Sequence, residues 1–446
     1  MSIQQDSGKV ELKRVLNLFD SSMIIIGTTI ASGIFLVPTV VAGHIKYSIP
    51  TIIGWMLGGI ITLFGGLSLA ELGVLYPRAG GMFVYLKEAY GKFWGFLYGW
   101  TLFTVIQTAS IAAVAVVFAT YLGHFVELSR YSIVGIAIIS IVFLSIVNCF
   151  GVKLGAKIQN FFSVLKISAI IVLIFLTFSK QLGATYSNFF PLFPENNTFP
   201  FLAAFGLSMV YILFTYDGWI HINYIAGEVK NPSRNIPVSL IVSIMIITGI
   251  YLLANIAYIK VLSIQEIANS ERVAADVAEK IIGSYGGALI SIMVIVATFG
   301  ANNGMILAGP RVYYAMAEDQ LFFSFLSKIN KRYHTPVNSI LIQGLWSSVL
   351  VLSGSYEQLL TYVIFTSFLF YGMSSFGVIL LRRKRPDLKR EYKTWGYPYT
   401  PVVFILFSAA LVLNTIASNP RDSLIGIFIM FLGIPAYYYW KTKKIV

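Results

Sequence analysis

The stretch Gly27-Thr28-Thr29-Ile30-Ala31-Ser32-Gly33-Ile34-Phe35 decides how this sequence folds. It lies in the middle of an apolar run long enough to cross a bilayer, yet it contains two glycines and three hydroxyl residues. A second such run is weakened near its middle by Phe214-Thr215-Tyr216-Asp217-Gly218-Trp219. Both patterns predict transmembrane helices that are broken halfway across the membrane.

The composition is that of a membrane protein. Of the 446 residues, 57% are hydrophobic and 11% are charged, against about 25% charged in soluble domains. Runs of about 20 apolar residues recur along the chain, and they are too continuous for the alternating strands of a barrel. Because backbone groups in lipid must be satisfied within their own segment, the sequence predicts an all-α membrane protein with twelve transmembrane helices.

Basic residues cluster on one side of the predicted spans. Most of the 32 lysines and arginines fall in the segments that precede odd-numbered spans, and residues 382–393 are the richest of these. By the positive-inside rule, both termini are predicted to lie in the cytoplasm, with the protein in the plasma or inner membrane. The net charge of +13 is then a feature of topology and anionic-lipid contact, not of nucleic-acid binding.

The two weakened runs are the first and sixth of the twelve spans. This spacing predicts a single transporter domain over residues 1–446, with inverted repeats at 17–180 and 199–381 and two additional helices at 397–441. Paired broken helices of this kind are typical of carriers with a binding site at the bilayer midplane. The alternative is a purely structural role, in which the glycines only permit close helix packing.

Broken helices expose peptide groups that need partners in lipid. A zwitterionic amino acid supplies both kinds: its carboxylate suits the N–H groups at the start of the second half of helix one, and its ammonium suits carbonyls that end the first halves. The substrate-binding residues predicted in this way are Thr29, Ala31, Ser32, Gly33, Tyr211 and Phe214.

Lys166 lies about nine residues into the fifth predicted span. A lysine at that depth costs about 2.5–3.5 kcal/mol on insertion scales and indicates an internal, functional position. We expect its ammonium to bridge a carbonyl near Gly27 to the eighth span around Asn302 and Asn303. The alternative is a structural lysine that is paired or that snorkels to the interface.

Asp217 has two interpretations, an N-cap for the second half of helix six or a pocket carboxylate that selects a polar or cationic side chain. Glu71, near the cytoplasmic end of span two, is predicted to be a gate charge. Phe214 and Trp219 are either gates or packing residues. The scattered histidines, the single cysteine and the lack of a nucleophile motif disfavour an enzyme and predict no metal and no cofactor.

The sequence resembles the amino acid–polyamine–organocation superfamily, and within it the L-type amino acid transporters and their bacterial exchanger relatives. The resemblance covers nearly the whole chain. Its motifs are the run from Gly27 to Phe35, Pro77-Arg78-Ala79-Gly80-Gly81, Tyr90-Gly91, Tyr98-Gly99-Trp100, Lys166, the run from Phe214 to Trp219, Glu228-Val229-Lys230-Asn231-Pro232-Ser233-Arg234-Asn235-Ile236-Pro237, Arg311-Val312-Tyr313-Tyr314-Ala315-Met316-Ala317, Thr335-Pro336-Val337-Asn338, Leu381-Arg382-Arg383-Lys384-Arg385-Pro386 and Gly396-Tyr397-Pro398.

The resemblance implies the leucine-transporter fold, a 5+5 inverted repeat and alternating access. It also implies sodium independence, with Lys166 standing in for the ion, and Phe214 as an aromatic gate. Ala31 stands where glycine is common in the family. Asp217 stands where many members have glycine, although some that take cationic substrates carry an acid. The loop at 123–130 lacks the cysteine that links animal members to a heavy subunit, so no such disulfide-linked partner is expected.

These features predict sodium-independent secondary transport of L-amino acids across the lipid bilayer, by exchange. The alternative mechanism is proton-coupled symport with Lys166 titrating, for amino acids, cationic amino acids or polyamines. The alternative of another class is a membrane sensor that binds an amino acid without transporting it.

Overall fold

A computed structural model describes residues 11–180, 187–191, 193, 198–353 and 356–442. The described residues are helical almost throughout, with one isolated parallel bridge between Leu16 and Val229. The first ten helices are α1 Leu18–Thr29, α2 Gly33–Ile45, α3 Ser48–Leu75, α4 Met82–Tyr90, α5 Lys92–Thr101, α6 Gln107–Leu122, α7 Arg130–Cys149, α8 Val152–Ser179, α9 Thr198–Tyr216 and α10 His221–Tyr224. The last ten are α11 Pro232–Val261, α12 Ile264–Asn269, α13 Val273–Ile282, α14 Tyr285–Ala308, α15 Pro310–Glu318, α16 Val337–Ser353, α17 Tyr356–Lys384, α18 Tyr399–Ser418, α19 Pro420–Phe431 and α20 Gly433–Thr442.

The prediction of an all-helical membrane protein is confirmed. Within the described ranges, nine helical segments are long and apolar enough to cross a bilayer, and the bent pair of α1 and α2 makes a tenth. Two shorter apolar helices, Phe201–Tyr216 and Val337–Ser353, correspond to the other two predicted spans. The count of twelve stays a prediction.

The first predicted break lies between α1 and α2. The axis bends by 44° there, and the C-cap residue Ile30 is extended, with φ −77° and ψ 90°. Gly33 begins α2 in close contact with α9, since a Cβ on it would lie 2.7 Å from the Thr215 side chain. The missing side chain therefore lets the two broken helices approach each other.

The second predicted break follows Tyr216, where α9 ends. Gly218 has φ +131°, a conformation that L residues with a side chain rarely adopt. Beyond the break come only the single turn α10 and the 3₁₀ turn Ala226–Glu228. The second half of this span is thus two short turns and not one continuous half-helix.

Direct hydrogen bonds join the two breaks. The Thr28 hydroxyl lies 3.0 Å from Gly218 O and 2.7 Å from Ile24 O, so its one O–H is shared between the second break and its own helix. α1 is surrounded by α8, α11 and α14. Since α1 is packed on several sides, its break faces the interior of the bundle and not the lipid.

The residues just before α1 are bonded to the end of the second broken span. The N–H groups of Val15 and Leu16 donate to the Glu228 carbonyl, at 2.9 and 3.0 Å. The Glu228 carboxylate accepts from Arg311 Nε at 2.7 Å, and both side chains are buried. The chain before α1 is thereby held to the end of the second broken span.

Candidate functional site

A cavity of about 60 Å³ lies between the two breaks. Because it is lined mainly by residues of α1, α2, α6 and the turn after α9, it occupies the position that the sequence predicts for a midplane site. Its lining residues are Thr28, Thr29, Ala31, Ser32, Gly33, Ile106, Gln107, Ser110, Ala113, Val114, Phe214, Thr215, Asp217, Gly218, Ile220, His221, Tyr224, Met305 and Tyr371.

The N–H groups at the start of α2 are open. Those of Ser32, Gly33 and Ile34 make no hydrogen bond to any residue in the described ranges, because the break removes their helical acceptors. The N–H of Ala31 donates to Thr29 O at 3.0 Å, so the open set is shifted by one residue from the predicted one. Three open N–H groups at the positive end of a helix dipole suit a carboxylate.

Lys166 occupies the carbonyl side of the same break. Its Nζ donates to the carbonyls of Gly27, Ile30 and Ala297, each at 2.8 Å, which uses all three N–H bonds of an ammonium group. The side chain is 1% exposed. The residue on the eighth predicted span is therefore Ala297, and neither Asn302 nor Asn303 touches the ammonium.

Tyr251, on α11, was not predicted as part of the site. Its hydroxyl lies 3.1 Å from Thr29 O and 3.0 Å from Thr215 O, so one O–H donor is shared by a carbonyl from each break. Thr29 O also accepts from Ala31 N. Both lone pairs of the Thr29 carbonyl, a predicted ammonium ligand, are thus occupied in this conformer.

Asp217 lines the cavity instead of capping the next helix. Its Oδ1 accepts from the Tyr371 hydroxyl at 2.8 Å and from Gly218 N at 3.0 Å, and the N-cap position of α10 is Ile220, which is not bonded by a side chain. Oδ2 has no donor among the described residues. The Thr29 hydroxyl is buried and has no hydrogen-bond partner among the residues that the structure describes.

Gln107 and His221 also line the cavity, and sequence reasoning missed both. His221 Nδ1 lies 2.8 Å from Gly218 O, so Nδ1 carries the proton and Nε2 is an acceptor. Gln107 Nε2 lies 3.2 Å from that acceptor and 3.0 Å from Met305 O. The sequence signal was a glutamine and a histidine within apolar runs, which alone does not identify a pocket.

Three other predicted residues lie around the cavity in different ways. Phe214 lines it. Tyr211 does not, and its ring lies 5.9 Å from that of His44. Trp219 is buried against Tyr371, with ring centroids 5.5 Å apart. Of these three, only Phe214 is placed in this conformer to cover a bound molecule, and the gating roles of Phe214 and Trp219 stay predictions.

Glu71 lies apart from the cavity. Its carboxylate accepts from Arg382 Nε and Nη2 at 2.9 and 2.6 Å and from the backbone N–H and hydroxyl of Thr394 at 2.8 Å. Arg390 adds a second cation, whose Nε lies 3.4 Å from Glu71 Oε1. These contacts join α3 to the end of α17 and the segment after it, and the predicted gate role is not visible in this arrangement.

Asn302 and Asn303 do not line the cavity and belong to packing contacts between helices. The Asn302 amide faces α6, 3.2 Å from Ile111 O, and its hydrogen bonds are satisfied when Nδ2 is assigned to that side. Asn303 donates to Gly155 O and Gln159 Oε1 on α8, at 3.0 and 2.9 Å. They fix α14 against its neighbours and lie outside the carbonyl set that holds Lys166.

Known proteins match this chain over nearly its whole length. The family model for amino acid permeases matches residues 16–436. The serine/threonine exchanger SteT of Bacillus subtilis (strain 168) is 33% identical over 99% of this chain and 99% of its own. The large neutral amino acids transporter small subunit 2 of Mus musculus is 32% identical over 98% and 83% of the two chains, and the human cystine/glutamate transporter is 30% identical over 98% and 87%.

Proposed function

The chain belongs to the amino acid permease family and is a secondary transporter of amino acids, not an enzyme. We propose that it exchanges L-amino acids by alternating access and that the exchange does not require sodium. The observation that carries this proposal is the pair of breaks, with open N–H groups on α2 and a fixed ammonium on the carbonyls of α1. The substrate carboxylate binds the N–H groups of residues 32–34, next to the small residues Ala31 and Gly33.

Sodium independence rests on Lys166. Carbonyls at the unwound ends of half-helices are the groups that coordinate sodium in carriers of this architecture. Here the Gly27, Ile30 and Ala297 carbonyls already hold a cation that is covalently part of the protein. A sodium ion has no vacant ligand set at that place, so the cycle does not use sodium at these carbonyls.

The cavity favours a small substrate with a hydrogen-bond donor on its side chain. Two polar atoms that line it, Thr29 Oγ1 and Asp217 Oδ2, have no partner among the described residues. A buried hydroxyl without a partner, such as that of Thr29, is costly. A hydroxyl or ammonium on the substrate satisfies it and also donates to the free carboxylate oxygen of Asp217. We therefore propose small hydroxylated or amino-bearing amino acids as the preferred substrates.

Counterflow in proteoliposomes tests exchange. Uptake of labelled substrate is expected only when the vesicles contain unlabelled amino acid, with or without sodium outside. Uptake into empty vesicles driven by a pH gradient would refute strict exchange and favour proton-coupled symport. Saturable binding without flux under both conditions would favour the sensor.

A competition panel tests the substrate class. Serine, threonine, alanine, leucine, lysine and a polyamine are compared as inhibitors of uptake, in the wild type and in Asp217→Asn. The variant should weaken the competitors with side-chain donors more than alanine, by about tenfold for a charge-assisted hydrogen bond of about 1.5 kcal/mol. An equal loss for all competitors would remove Asp217 from side-chain selection.

The remaining features of the proposal concern the whole molecule. We propose that residues 17–180 and 199–381 are inverted repeats, that residues 397–441 add two helices, and that both termini face the cytoplasm in the plasma or inner membrane. We also propose that the transporter acts without a disulfide-linked heavy subunit. Accessibility of single cysteines introduced at residues 124 and 389 to a membrane-impermeant reagent tests the orientation, since only position 124 should react from outside.

A further inference from the structure

A groove of about 480 Å³ lies between α5, α16 and α20. It shares one structural element with the cavity, the π-helical turn Leu102–Ile106 that joins α5 to α6. Phe103 and Thr104 of this turn line the groove, whereas Ile106 and the following Gln107 line the cavity. A single turn of chain therefore separates the two spaces.

The groove is lined mainly by aromatic rings. The indole N–H of Trp100 donates to Ile429 O and that of Trp346 to Thr104 O, both at 3.1 Å. The Thr104 hydroxyl donates to Trp100 O at 2.9 Å. Because these polar groups are already satisfied, the groove offers ring faces to an occupant and suits an apolar chain.

The helices around the groove and a nearby lysine indicate what kind of molecule fits it. α5 and α20 belong to segments long and apolar enough to cross a bilayer, so the groove lies between membrane-spanning segments. Trp440 lines it, and the next residue, Lys441, is exposed in the last turn of α20. Lys441 Nζ lies 5.9 Å from the Tyr438 ring, beside the groove residue Tyr439. An apolar groove with an exposed cation on the same helix complements a molecule with an acyl tail and an anionic phosphate.

We propose that this groove binds one acyl chain of an anionic phospholipid, with Lys441 at its phosphate, and that occupancy changes substrate affinity through the π turn. Trp346 donates to a carbonyl of the turn from the groove side, and Gln107 bonds Met305 O and faces His221 on the cavity side. An acyl chain that shifts Phe103 or Trp346 also shifts Gln107. π turns of this kind occur frequently at functional sites.

Photolabelling tests the binding site without reference to transport. The purified protein is reconstituted in nanodiscs that contain phosphatidylglycerol with a diazirine in its acyl tail, irradiated and mapped by mass spectrometry. Label should concentrate on the groove residues and be lost in Ala436→Trp, which fills the groove. It should persist in Ala409→Trp, the same change on the exposed face of α18. Label spread evenly over the lipid-facing helices, or unchanged in Ala436→Trp, would overturn the site.

Substrate binding tests the coupling, which rests on the proposed function. Affinity is measured in nanodiscs with and without phosphatidylglycerol, for the wild type, Ala436→Trp, Ala409→Trp and Lys441→Gln. The lipid should change the dissociation constant at least threefold in the wild type and Ala409→Trp, with little effect in the other two. Equal lipid effects in all four, or none in a wild type that binds substrate, would overturn the coupling. Thermal melts of each variant show that it is folded.

Discussion

Replacing Lys166 with alanine tests the link between the carbonyl side of the break and transport. The Ala297 carbonyl lies within an unbroken helix, whereas those of Gly27 and Ile30 lose their helical partners at the break. A buried carbonyl left without a donor costs about 1 to 3 kcal/mol, so two of them destabilise this conformer by roughly 2 to 6 kcal/mol. At about 1.4 kcal/mol per factor of ten, its population falls by about 30-fold or more.

The assay is counterflow of labelled substrate in proteoliposomes, with Lys157→Ala as the control because Lys157 is an exposed lysine on the same helix. Exchange by Lys166→Ala should fall about 30-fold or more while the control keeps the wild-type rate. Millimolar ammonium should restore part of the loss, since it fits the vacated carbonyls. Exchange within twofold of the wild type, in a variant that is folded by melting and size-exclusion chromatography, would refute the reasoning.

Three further changes test contacts around the breaks. Gly33→Ala overpacks α2 against α9 by about 1 to 3 kcal/mol and should weaken substrate binding about fivefold or more, whereas Gly43→Ala, with nothing within 4 Å, should not. Glu228→Gln leaves Arg311 as a buried, unpaired cation, which should lower the folding stability by about 3–5 kcal/mol. An unchanged unfolding midpoint would contradict this expected loss of stability. Tyr251→Phe removes a hydrogen bond worth about 1 kcal/mol and should shift the substrate dissociation constant about fivefold in equilibrium binding.

The sequence was most informative about where the chain departs from regular helix. Glycine and hydroxyl residues inside apolar runs predicted both breaks within a few residues. Such residues have a lower helix propensity than the apolar residues around them, so they mark the places where a helix is interrupted. The depth of Lys166 within its span predicted burial and contact with Gly27. These inferences depend on position along a helix axis, which residue numbers give directly.

Position around a helix axis was harder to predict. Ala297 and Asn302 are five residues apart, which at about 100° per residue places them roughly 140° apart on α14. Asn302 therefore points to α6 while Ala297 faces Lys166. Tyr251 and Gln107 were missed for a related reason. Each is one polar or aromatic residue in an apolar run, and only the packing of other helices shows that it faces the cavity.

The two sides of the break in helix one differ in how far their hydrogen-bonding groups are already satisfied. On the carbonyl side, Lys166 and Tyr251 donate to Gly27, Ile30 and Thr29, whereas on the N–H side residues 32–34 have no acceptor among the described residues. On the proposed function, a substrate carboxylate therefore gains hydrogen bonds to these N–H groups, whereas its ammonium has to displace Tyr251 from Thr29 O or bind at Asp217. The lysine that occupies the carbonyls of Gly27 and Ile30 thus leaves the N–H side of the break as the side with open hydrogen-bonding groups.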